Sequence, residues 1–512
     1  MNIRDIVGPL LLAAGVTILA QSFWGWYKGP EVSEVGFVAP ISKAEQEPLL
    51  LEVDFKDDQA GQPTPPVVIE TAYGQLSFSN EGGTLSNERF VRHNSHTTQD
   101  FVVLSEDTLL ERESRPFLIA LDEKSPFYYE LKELVQDENT AKITYTVKAD
   151  QGVIEKTFTV DKLQPKLDLS VTVTPASGAV MRPRLIWMSP SLQEIKDTDA
   201  INAVAIDKSG HFIKTASHKL DGRKGYFAPE VFGTENKYFV HAMIKDTDRF
   251  VHRAYYKGAS SSAVLSILET KPVTEKTTWN LSFYIGPKDL EIIRTAAPRL
   301  EKTLDYGIFS WVTKGMLVLL NLINKYTGNY GWSIILITLL VQLLLLPLSI
   351  SGEKKMRKMQ DYQKKLNYIQ QKYKNDPEAL AQAREEMIKK YGMPGVSGCL
   401  PVLMKAPIFT GLYGALNNSI ELYRAPFVGW INDLSMPDQY YLIPVLITGS
   451  VLFSGIMSQG DKVEFKKVVP VFALALLLGA WTSSMAAGLG LFILSNALLH
   501  GTQVKIQRML GI

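Results

Sequence analysis

Lys405 is the residue whose type and position most directly suggest chemistry. It alone interrupts residues 391–420, which otherwise carry no charged side chain. A charge inside an apolar segment is expensive to bury, so its presence is by default a functional hypothesis. The alternative is that Lys405 extends its ammonium group to the aqueous edge of a membrane, because it lies only about six residues, or ~9 Å, inside its segment.

The histidines are the next candidates, for acid–base or metal chemistry. Six of the seven fall within 66–290, and no pair has the four-residue spacing that brings two imidazoles to one helix face. The pattern favours solvated surface histidines, with a zinc or acid–base site as the alternative. The single cysteine excludes an intrachain disulfide and a multi-cysteine zinc site, so we expect no metal or other cofactor. The six are His93, His96, His211, His218, His241 and His252.

The net charge of +1 hides two oppositely charged parts of the chain. Residues 28–300 carry 32 Lys and Arg against 39 Asp and Glu, whereas the rest carries 22 against 14. The near-zero total gives no overall electrostatic attraction to nucleic acid. An acidic, polar module joined to a basic, apolar remainder predicts a polytopic membrane protein with a large soluble domain.

Long uncharged runs predict the membrane segments, because a bilayer core of ~30 Å needs about 20 apolar helical residues. The run at 468–504 is too long for one helix and long enough for two, with the turn expected around Ser483, Ser484 and Gly488. The sequence therefore predicts six spans, at 6–26, 332–350, 399–417, 441–457, 468–483 and 487–503.

Lysine and arginine in short loops set the predicted orientation. Segment 351–391 carries 11 Lys and Arg against 6 acidic residues, and the loop 458–467 is also basic. Six spans place these segments and both termini in the cytoplasm, and residues 28–300 in the periplasm. We expect residues 1–27 to be a retained signal anchor, since the bulky Ile18 makes a poor cleavage site; a cleaved signal peptide is the alternative.

The external module has the pattern of β structure. Residues 28–65 lack periodicity and are rich in Pro, Glu and Gln, which predicts a flexible tether. Apolar and polar residues then alternate through 143–147, 153–160 and 167–173. Strands at such short spacing predict an all-β sandwich over residues 66–290.

Two helical elements accompany the predicted spans. Residues 291–325 predict an amphipathic helix at the outer membrane interface, with a helix packed on the β module as the alternative. Residues 353–391 predict a cytoplasmic hairpin, in which Asp376 caps the second helix and Pro377 begins it. Its basic face would suit plain solvation, anionic lipid or ribosomal RNA. That face carries Lys354, Lys355, Arg357, Lys358, Lys364 and Lys365.

Residues 398–413 (GCLPVLMKAPIFTGLY) closely resemble the third-span motif of the YidC-type membrane protein insertases of the Oxa/Alb superfamily. Residues 329–335 and 425–435 resemble the start of that family's second span and its second external loop. The order of anchor, β domain, interfacial helix and five-span core is similar to the Gram-negative form. The resemblance is strong over 329–460 and only architectural over 28–300.

The resemblance implies a multi-domain fold and a function. The β domain would be a supersandwich similar to sugar-mutarotase folds and largely dispensable for insertion. Residues 326–512 would form a five-helix core around a hydrophilic groove that is open to cytoplasm and lipid. The protein would be an insertase and chaperone and not an enzyme. Its implied partners are nascent membrane proteins, the Sec translocon, the ribosome and anionic lipids, and it would act as a monomer. The implied groove residues are Thr338, Gln342, Lys405, Phe492 and Asn496.

The sequence departs from the family pattern inside this groove. The family usually places an Arg where Gln342 stands and a Gln where Lys405 stands, so we predict that the two groups have exchanged places. Phe492 stands where two aromatic residues are expected, which suggests a divergent member. Two other function classes stay open: a channel or transporter, and a membrane-tethered sugar-binding β domain. A single mid-span charge and the lack of a detectable inverted repeat count against a transporter.

Overall fold

The computed structural model describes residues 49–50, 52–55, 62–93, 98–104, 112–122, 124–191, 201–220, 225–260, 263–304, 306, 309–373, 376–391, 400–458 and 465–509. The chain divides between residues 305 and 306 into two compact units, here called the β unit and the helical unit. The predicted anchor at 1–27 and most of the predicted tether lie outside the described residues.

Antiparallel sheets make up the described part of the β unit. Three sheets have the strand orders β1-β2-β3-β4, β13-β16-β17-β10-β5 and β12-β11-β14-β15-β18-β9-β8-β7-β6. Their inward side chains share one apolar core, so the predicted all-β architecture is confirmed. The strands are β1 Val67–Thr71, β2 Gly74–Ser79, β3 Thr84–His93, β4 Thr98–Leu104, β5 Leu118–Ala120, β6 Glu130–Gln136, β7 Thr140–Ala149, β8 Gly152–Asp161, β9 Lys166–Pro175, β10 Arg184–Met188, β11 Asn202–Ile206, β12 Phe212–Ala216, β13 Gly225–Phe227, β14 Val231–Glu235, β15 Phe239–Asp246, β16 Arg253–Ser260, β17 Ala263–Glu269 and β18 Thr277–Pro287.

The three strands predicted from alternation are β7, β8 and β9, which pair in sequence order. Along β8, buried positions alternate with more exposed ones, as a half-buried strand requires. The turn before β8 needs Gly152, whose φ is +154° and whose missing Cβ would overlap the carbonyl of Thr174. Local periodicity and turn chemistry were sufficient for this meander.

Residues 49–50 and 52–55 are packed on the β unit. The Arg184 guanidinium donates to the carbonyl oxygens of Leu50 (2.7 Å) and Glu52 (3.2 Å), and the Tyr255 hydroxyl also donates to Leu50 (2.8 Å). Val53 is buried in the apolar core. The predicted tether of 28–65 is therefore too long at its C-terminal end, because distant side chains bind its backbone carbonyls.

Lys156 is buried in the core of the β unit, on the inward face of β8. Its ammonium group donates to the carbonyl oxygens of Gly82 and Phe117, the latter at 2.9 Å, and lies 4.6 Å from the centre of the Tyr129 ring. Burial lowers the pKa of Lys156 well below its usual value. The amine thus ties two loops to the centre of the sheet.

Glu235 is a second buried charge, at the end of β14. Burial by itself raises the pKa of Glu235, but the ammonium groups of Lys288 and Lys214 outweigh it and hold the pKa below its usual value. The two lysine nitrogens lie 3.1 and 2.8 Å from its carboxylate oxygens. Such multiple pairing is what a carboxylate needs when it leaves water.

His241 corrects the interpretation of the histidines as surface groups. It is 4% exposed, and its Nε2 lies 2.9 Å from Oε2 of the buried Glu88. Its Nδ1 lies 3.3 Å from the carbonyl oxygen of Met188. His211 and His218 are exposed, as predicted. The surface interpretation is therefore wrong for His241, because its strand faces the core at that position.

Among the described residues, the α-helices come after the last strand of the β unit. The first closes the β unit and begins at Asp289, whose side chain accepts hydrogen bonds from the backbone N–H groups of Glu291 and Ile292. The others belong to the helical unit. The helices are α1 Leu290–Ala296, α2 Ser310–Thr327, α3 Tyr330–Leu344, α4 Leu346–Lys372, α5 Pro377–Tyr391, α6 Leu400–Asn418, α7 Leu442–Ser458, α8 Phe465–Thr482 and α9 Ala487–Met509.

The predicted amphipathic segment 291–325 is not one element. Its first part is α1 and the 3-10 helix Pro298–Thr303, both in the β unit, whereas α2 belongs to the helical unit. Pro298 explains the break, since it cannot continue the hydrogen bonding of α1. By contrast, the uncharged run 468–504 divides between α8 and α9, as predicted.

Within the described ranges, none of the helices combines a bilayer-crossing length with sufficient apolar character. The six predicted spans stay a prediction.

The predicted hairpin is formed by α4 and α5. Asp376 accepts a hydrogen bond from the backbone N–H of Ala379 at 3.0 Å, and Pro377 is the first residue of α5. The predicted cap is therefore confirmed. Four apolar residues of this hairpin have the four-three-four spacing of a coiled-coil seam, and each is half-buried: Tyr362, Leu366, Ile369 and Tyr373.

Glycines set how closely the helices of the helical unit approach. A Cβ on Gly411 of α6 would lie 2.6 Å from the Val312 side chain of α2, and one on Gly490 of α9 would lie 2.8 Å from Ile443 of α7. On α7, a Cβ on Gly455 would overlap Val471 of α8. Small residues at contacts are typical of helices that associate in lipid.

Candidate functional site

The predicted groove residues lie on three helices. Thr338 and Gln342 are on α3, Lys405 is on α6, and Phe492 and Asn496 are on α9. Helices α3 and α9 pack closely, because Gly488 at the start of α9 leaves room for Ile334 of α3. The structure therefore brings the α3 and α9 residues to neighbouring faces.

The α3 side of this site is polar but uncharged. Thr338 is 2% exposed, and its hydroxyl donates to the carbonyl oxygen of Ile334 at 2.6 Å. Gln342 follows one turn later and is 8% exposed. Its Nε2 donates to Oε1 of Gln503 on α9 at 2.9 Å. Two amides thus join the helices inside the unit.

Gln503 is a site residue that the sequence analysis missed. It lies 7 residues after Asn496, so the two share one face of α9 at a helical period of about 3.6. It is 7% exposed. The polar positions along this face were the available signal, but the partner, Gln342, stands 161 residues away in sequence.

Phe492 joins the α9 side of the site to α6. Its ring centre lies 5.2 Å from that of Phe409, with the planes tilted by 43°. Phe492 is buried, whereas Asn496, one turn later, is half-buried. The aromatic pair bounds the site at one end, and Asn496 lies between this pair and Gln503 along α9.

Lys405 lies in the second turn of α6, two residues before Pro407. Proline cannot donate a backbone hydrogen bond, so the carbonyl of Leu403 lacks its usual helical partner. The Lys405 side chain lies outside the described residues. Its exchange with Gln342 therefore stays a prediction.

A second polar cluster lies in the segment after α6. The carboxylate of Glu421 is 4% exposed, and Nδ2 of Asn321 lies 3.5 Å from its Oε1. Oδ1 of the same Asn321 lies 3.5 Å from the Tyr330 hydroxyl. This cluster fastens α2 to the start of α3 and was also missed from the sequence.

The outer surface of the helical unit is largely apolar. Large apolar side chains on α3, α7 and α8 are exposed by a third or more, the opposite of what a water-facing helix requires. They include Leu336, Leu340, Leu343, Leu344, Val445, Leu446, Phe453, Phe472, Leu474, Leu476 and Leu477.

The basic hairpin residues all lie on α4. Lys364 and Lys365 are exposed. The side chains of Lys354, Lys355, Arg357 and Lys358 lie outside the described residues. Over the part of the chain that the structure describes, no cluster of His, Cys, Asp and Glu could hold a metal ion.

Two family models match most of the chain. The one described as YidC periplasmic domain matches residues 66–319, and the one described as 60Kd inner membrane protein matches residues 322–510. The first therefore covers the β unit and reaches into α2. The second covers all the predicted groove residues.

Curated relatives carry the name membrane protein insertase YidC. One from Wolinella succinogenes is 33% identical over 333 residues, which cover 63% of this chain and 59% of that protein. One from Citrifermentans bemidjiense is 30% identical over 410 residues, 74% of each chain. The matched region thus spans about six tenths of the first relative. A solved YidC insertase structure with its first transmembrane domain resolved aligns with 87% of this chain and 92% of its own, at 16% identity and with a TM-score of 0.37.

Proposed function

This chain belongs to the YidC family, and on that premise we propose that it inserts and helps to fold membrane proteins of the bacterial inner membrane. The supporting observation is the distribution of side chains in the helical unit. Large apolar groups cover the outside, whereas uncharged polar groups meet inside, between α3 and α9. This arrangement suits helices surrounded by lipid that enclose a polar path.

A polar groove lowers the barrier to insertion in two steps. First, it shortens the apolar distance that a hydrophilic substrate tail must cross. The substrate's own apolar helix then partitions into lipid, and each leucine in it favours insertion by about 0.5 kcal/mol. Thr338, Gln342, Phe492 and Asn496 would line this groove without any nucleotide or cofactor.

We propose the predicted six-span topology for this function. Both termini and the α4–α5 hairpin would lie in the cytoplasm, and the β unit in the periplasm. The exposed leucines of α3, α7 and α8 support lipid contact, and the short break between α8 and α9 supports two antiparallel spans. Nascent membrane proteins would be the substrates. Anionic lipids, the Sec translocon and the ribosome would be partners of a monomer.

Lys405 would supply the positive charge that the family usually places at the position of Gln342. The supporting features are the uncharged amide at Gln342 and the location of Lys405 in α6, the helix that contacts α9 through Phe409. Lys405→Gln should slow the insertion of a substrate with an acidic tail, and Gln342→Arg in that background should restore it. Normal insertion by Lys405→Gln would show that the exchange is wrong.

Reconstitution tests the proposed function directly. The purified full-length protein is placed in liposomes and given a single-span substrate with a short polar tail. We expect protease protection of the translocated tail only in liposomes that contain the protein. Equal protection in empty liposomes, or solute flux without insertion, would contradict the proposal and favour a channel.

A further inference from the structure

We propose that Gln342 and Gln503 act together as a neutral binding site for the peptide groups of a translocating substrate tail. This inference rests on the proposed insertase function and adds Gln503 as a residue that sets how fast substrate tails pass. Four observations carry it: the contact itself, the burial of the pair, the chemistry of amides and an unsatisfied hydroxyl nearby.

The contact joins two helices that are far apart in sequence. Nε2 of Gln342 lies 2.9 Å from Oε1 of Gln503, and the two side chains are 8% and 7% exposed. A buried amide costs free energy unless it is hydrogen-bonded. If the contact had only to hold α3 against α9, apolar side chains would do so at lower cost. A polar pair at this point therefore offers hydrogen-bonding groups that can be exchanged with a polar ligand.

The chemistry of the pair differs from that of an arginine. A guanidinium only donates hydrogen bonds and carries a charge, whereas a primary amide both donates and accepts and is neutral. A peptide group also has one donor and one acceptor. The pair can therefore exchange its mutual hydrogen bond for bonds to a passing peptide group, whatever the charge of the substrate side chains.

Polarity continues beyond the pair along the same helical face. Ser349 follows Gln342 by 7 residues, about two turns, and α4 begins directly after the helical residue Leu345. The Ser349 side chain is buried, and among the described residues its hydroxyl has no hydrogen-bond partner. A buried hydroxyl without a partner, about two turns or ~10 Å beyond Gln342, is a second polar group on this face that a passing substrate can satisfy.

The test compares variants of full-length protein in liposomes with two single-span substrates, one with an uncharged polar tail and one with an acidic tail. Gln503→Met removes the amide at nearly constant volume and should slow both substrates about fivefold, the value of roughly one hydrogen bond. Gln342→Met should do the same, and the double variant should be no slower than either, because the residues act as one unit. Thr502→Val, on the exposed side of α9, is the matched control and should insert normally.

A charged variant separates ligand binding from a structural role. Gln503→Glu keeps the acceptor for Gln342 but adds a negative charge. It should therefore insert the uncharged tail at the wild-type rate and the acidic tail more slowly. Normal insertion by Gln503→Met, or equal slowing of both tails by Gln503→Glu, would overturn the inference. The proposed function would still stand in either case, provided that the wild-type protein inserts the substrates. A wild-type protein that inserts neither substrate would overturn both.

Discussion

The two units of this chain solve opposite burial problems. In the β unit, apolar side chains fill one core, and the buried amine of Lys156 and the buried carboxylate of Glu235 have several partners each. In the helical unit, leucines such as Leu477 are 59% exposed, whereas Gln342 is 8% exposed. The difference fits the proposed placement of the two units, with water around the β unit and lipid around the helices.

The comparison also concerns the kind of polar group that each unit buries. The β unit buries the carboxylate of Glu235, because a rigid sheet can fix counter-charges around it. The helical unit also buries a carboxylate, that of Glu421, but outside the groove site. The Gln342–Gln503 contact in the helical unit is between neutral amides, which cost less to desolvate and can change partners. Fixed charges suit stability, and exchangeable amides suit a passing substrate.

The largest expected effect is loss of a partner from the buried carboxylate of the β unit. Lys288→Met should lower the free energy of unfolding by about 3 kcal/mol, because Glu235 keeps its charge with one partner fewer. Lys132→Met is the control, since its pair with Glu155 is exposed to solvent and its loss should change the free energy of unfolding much less. Denaturant unfolding of the full-length protein in detergent measures both. Equal losses of unfolding free energy in the two variants would contradict the conclusion that Glu235 depends on Lys288 as a buried partner.

This loss should depend on pH with a definite sign. Because the pKa of Glu235 is held below its usual value of 4.5, its pairing stabilises the fold above that pH and is lost as the pH falls. The difference in free energy of unfolding between the wild type and Lys288→Met should therefore become smaller at acidic pH.

A lysine placed on an exposed leucine distinguishes the two solvents. Leu477→Lys on α8 should cost about 3 kcal/mol in lipid nanodiscs, the cost of a lysine at the centre of a membrane helix. Leu163→Lys in the β unit, at a side chain of similar exposure (63%), should change stability by less than about 0.5 kcal/mol. Similar thermal midpoints for both variants would show that lipid does not cover α8.

Overpacking between helices should have a smaller effect. Gly455→Ala on α7 should destabilise the helical unit by about 2 kcal/mol, because the new Cβ overlaps Val471. Gly449→Ala on the same helix meets open space and should be neutral or slightly stabilising. Thermal midpoints in nanodiscs compare the two, and an equal response would show that α7 and α8 do not pack as described.

The smallest expected effect is at the buried amine. Lys156→Met should change stability at neutral pH by only about 1 kcal/mol, because removing the cost of burying an amine offsets the loss of its hydrogen bonds to the carbonyls of Gly82 and Phe117. The unfolded chain keeps the Lys156 proton up to its usual pKa of 10.5, whereas the folded chain releases it at lower pH. The wild type should therefore gain stability relative to Lys156→Met as the pH rises toward 10.5. A constant difference across that range would mean that Lys156 stays charged in the fold.

Local patterns predicted much of the fold. Alternation and a turn glycine predicted β7 to β9, and a cap residue followed by proline predicted the start of α5. Each of these patterns lies within a short stretch of consecutive residues, so it can be recognised without knowledge of long-range contacts. The same applies to the break between α8 and α9, which follows from the length of one uncharged run.

Long-range pairing could not be predicted in this way. The alternation pattern places Lys156 on the inward face of a strand. Nothing near it in the sequence shows that its amine donates hydrogen bonds to carbonyl oxygens 74 and 39 residues away. The packing of residues 49–50 and 52–55 depends on Arg184 in the same way. In the candidate site, the position of Gln342 followed from family resemblance, but its partner Gln503 required the structure.

The most direct test of the polar groove compares two positions on α9. In a Cys399→Ser background, which removes the only cysteine, Asn496→Cys and Leu498→Cys are treated in membrane vesicles with a membrane-impermeant maleimide from the cytoplasmic side. Leu498 is 52% exposed, whereas Asn496 is less exposed. If water surrounded α9, Leu498→Cys would therefore react faster. The account predicts the opposite, because Asn496→Cys reacts from the groove and lipid protects Leu498→Cys. Faster reaction of Leu498→Cys, with Asn496→Cys unreactive, would contradict the groove.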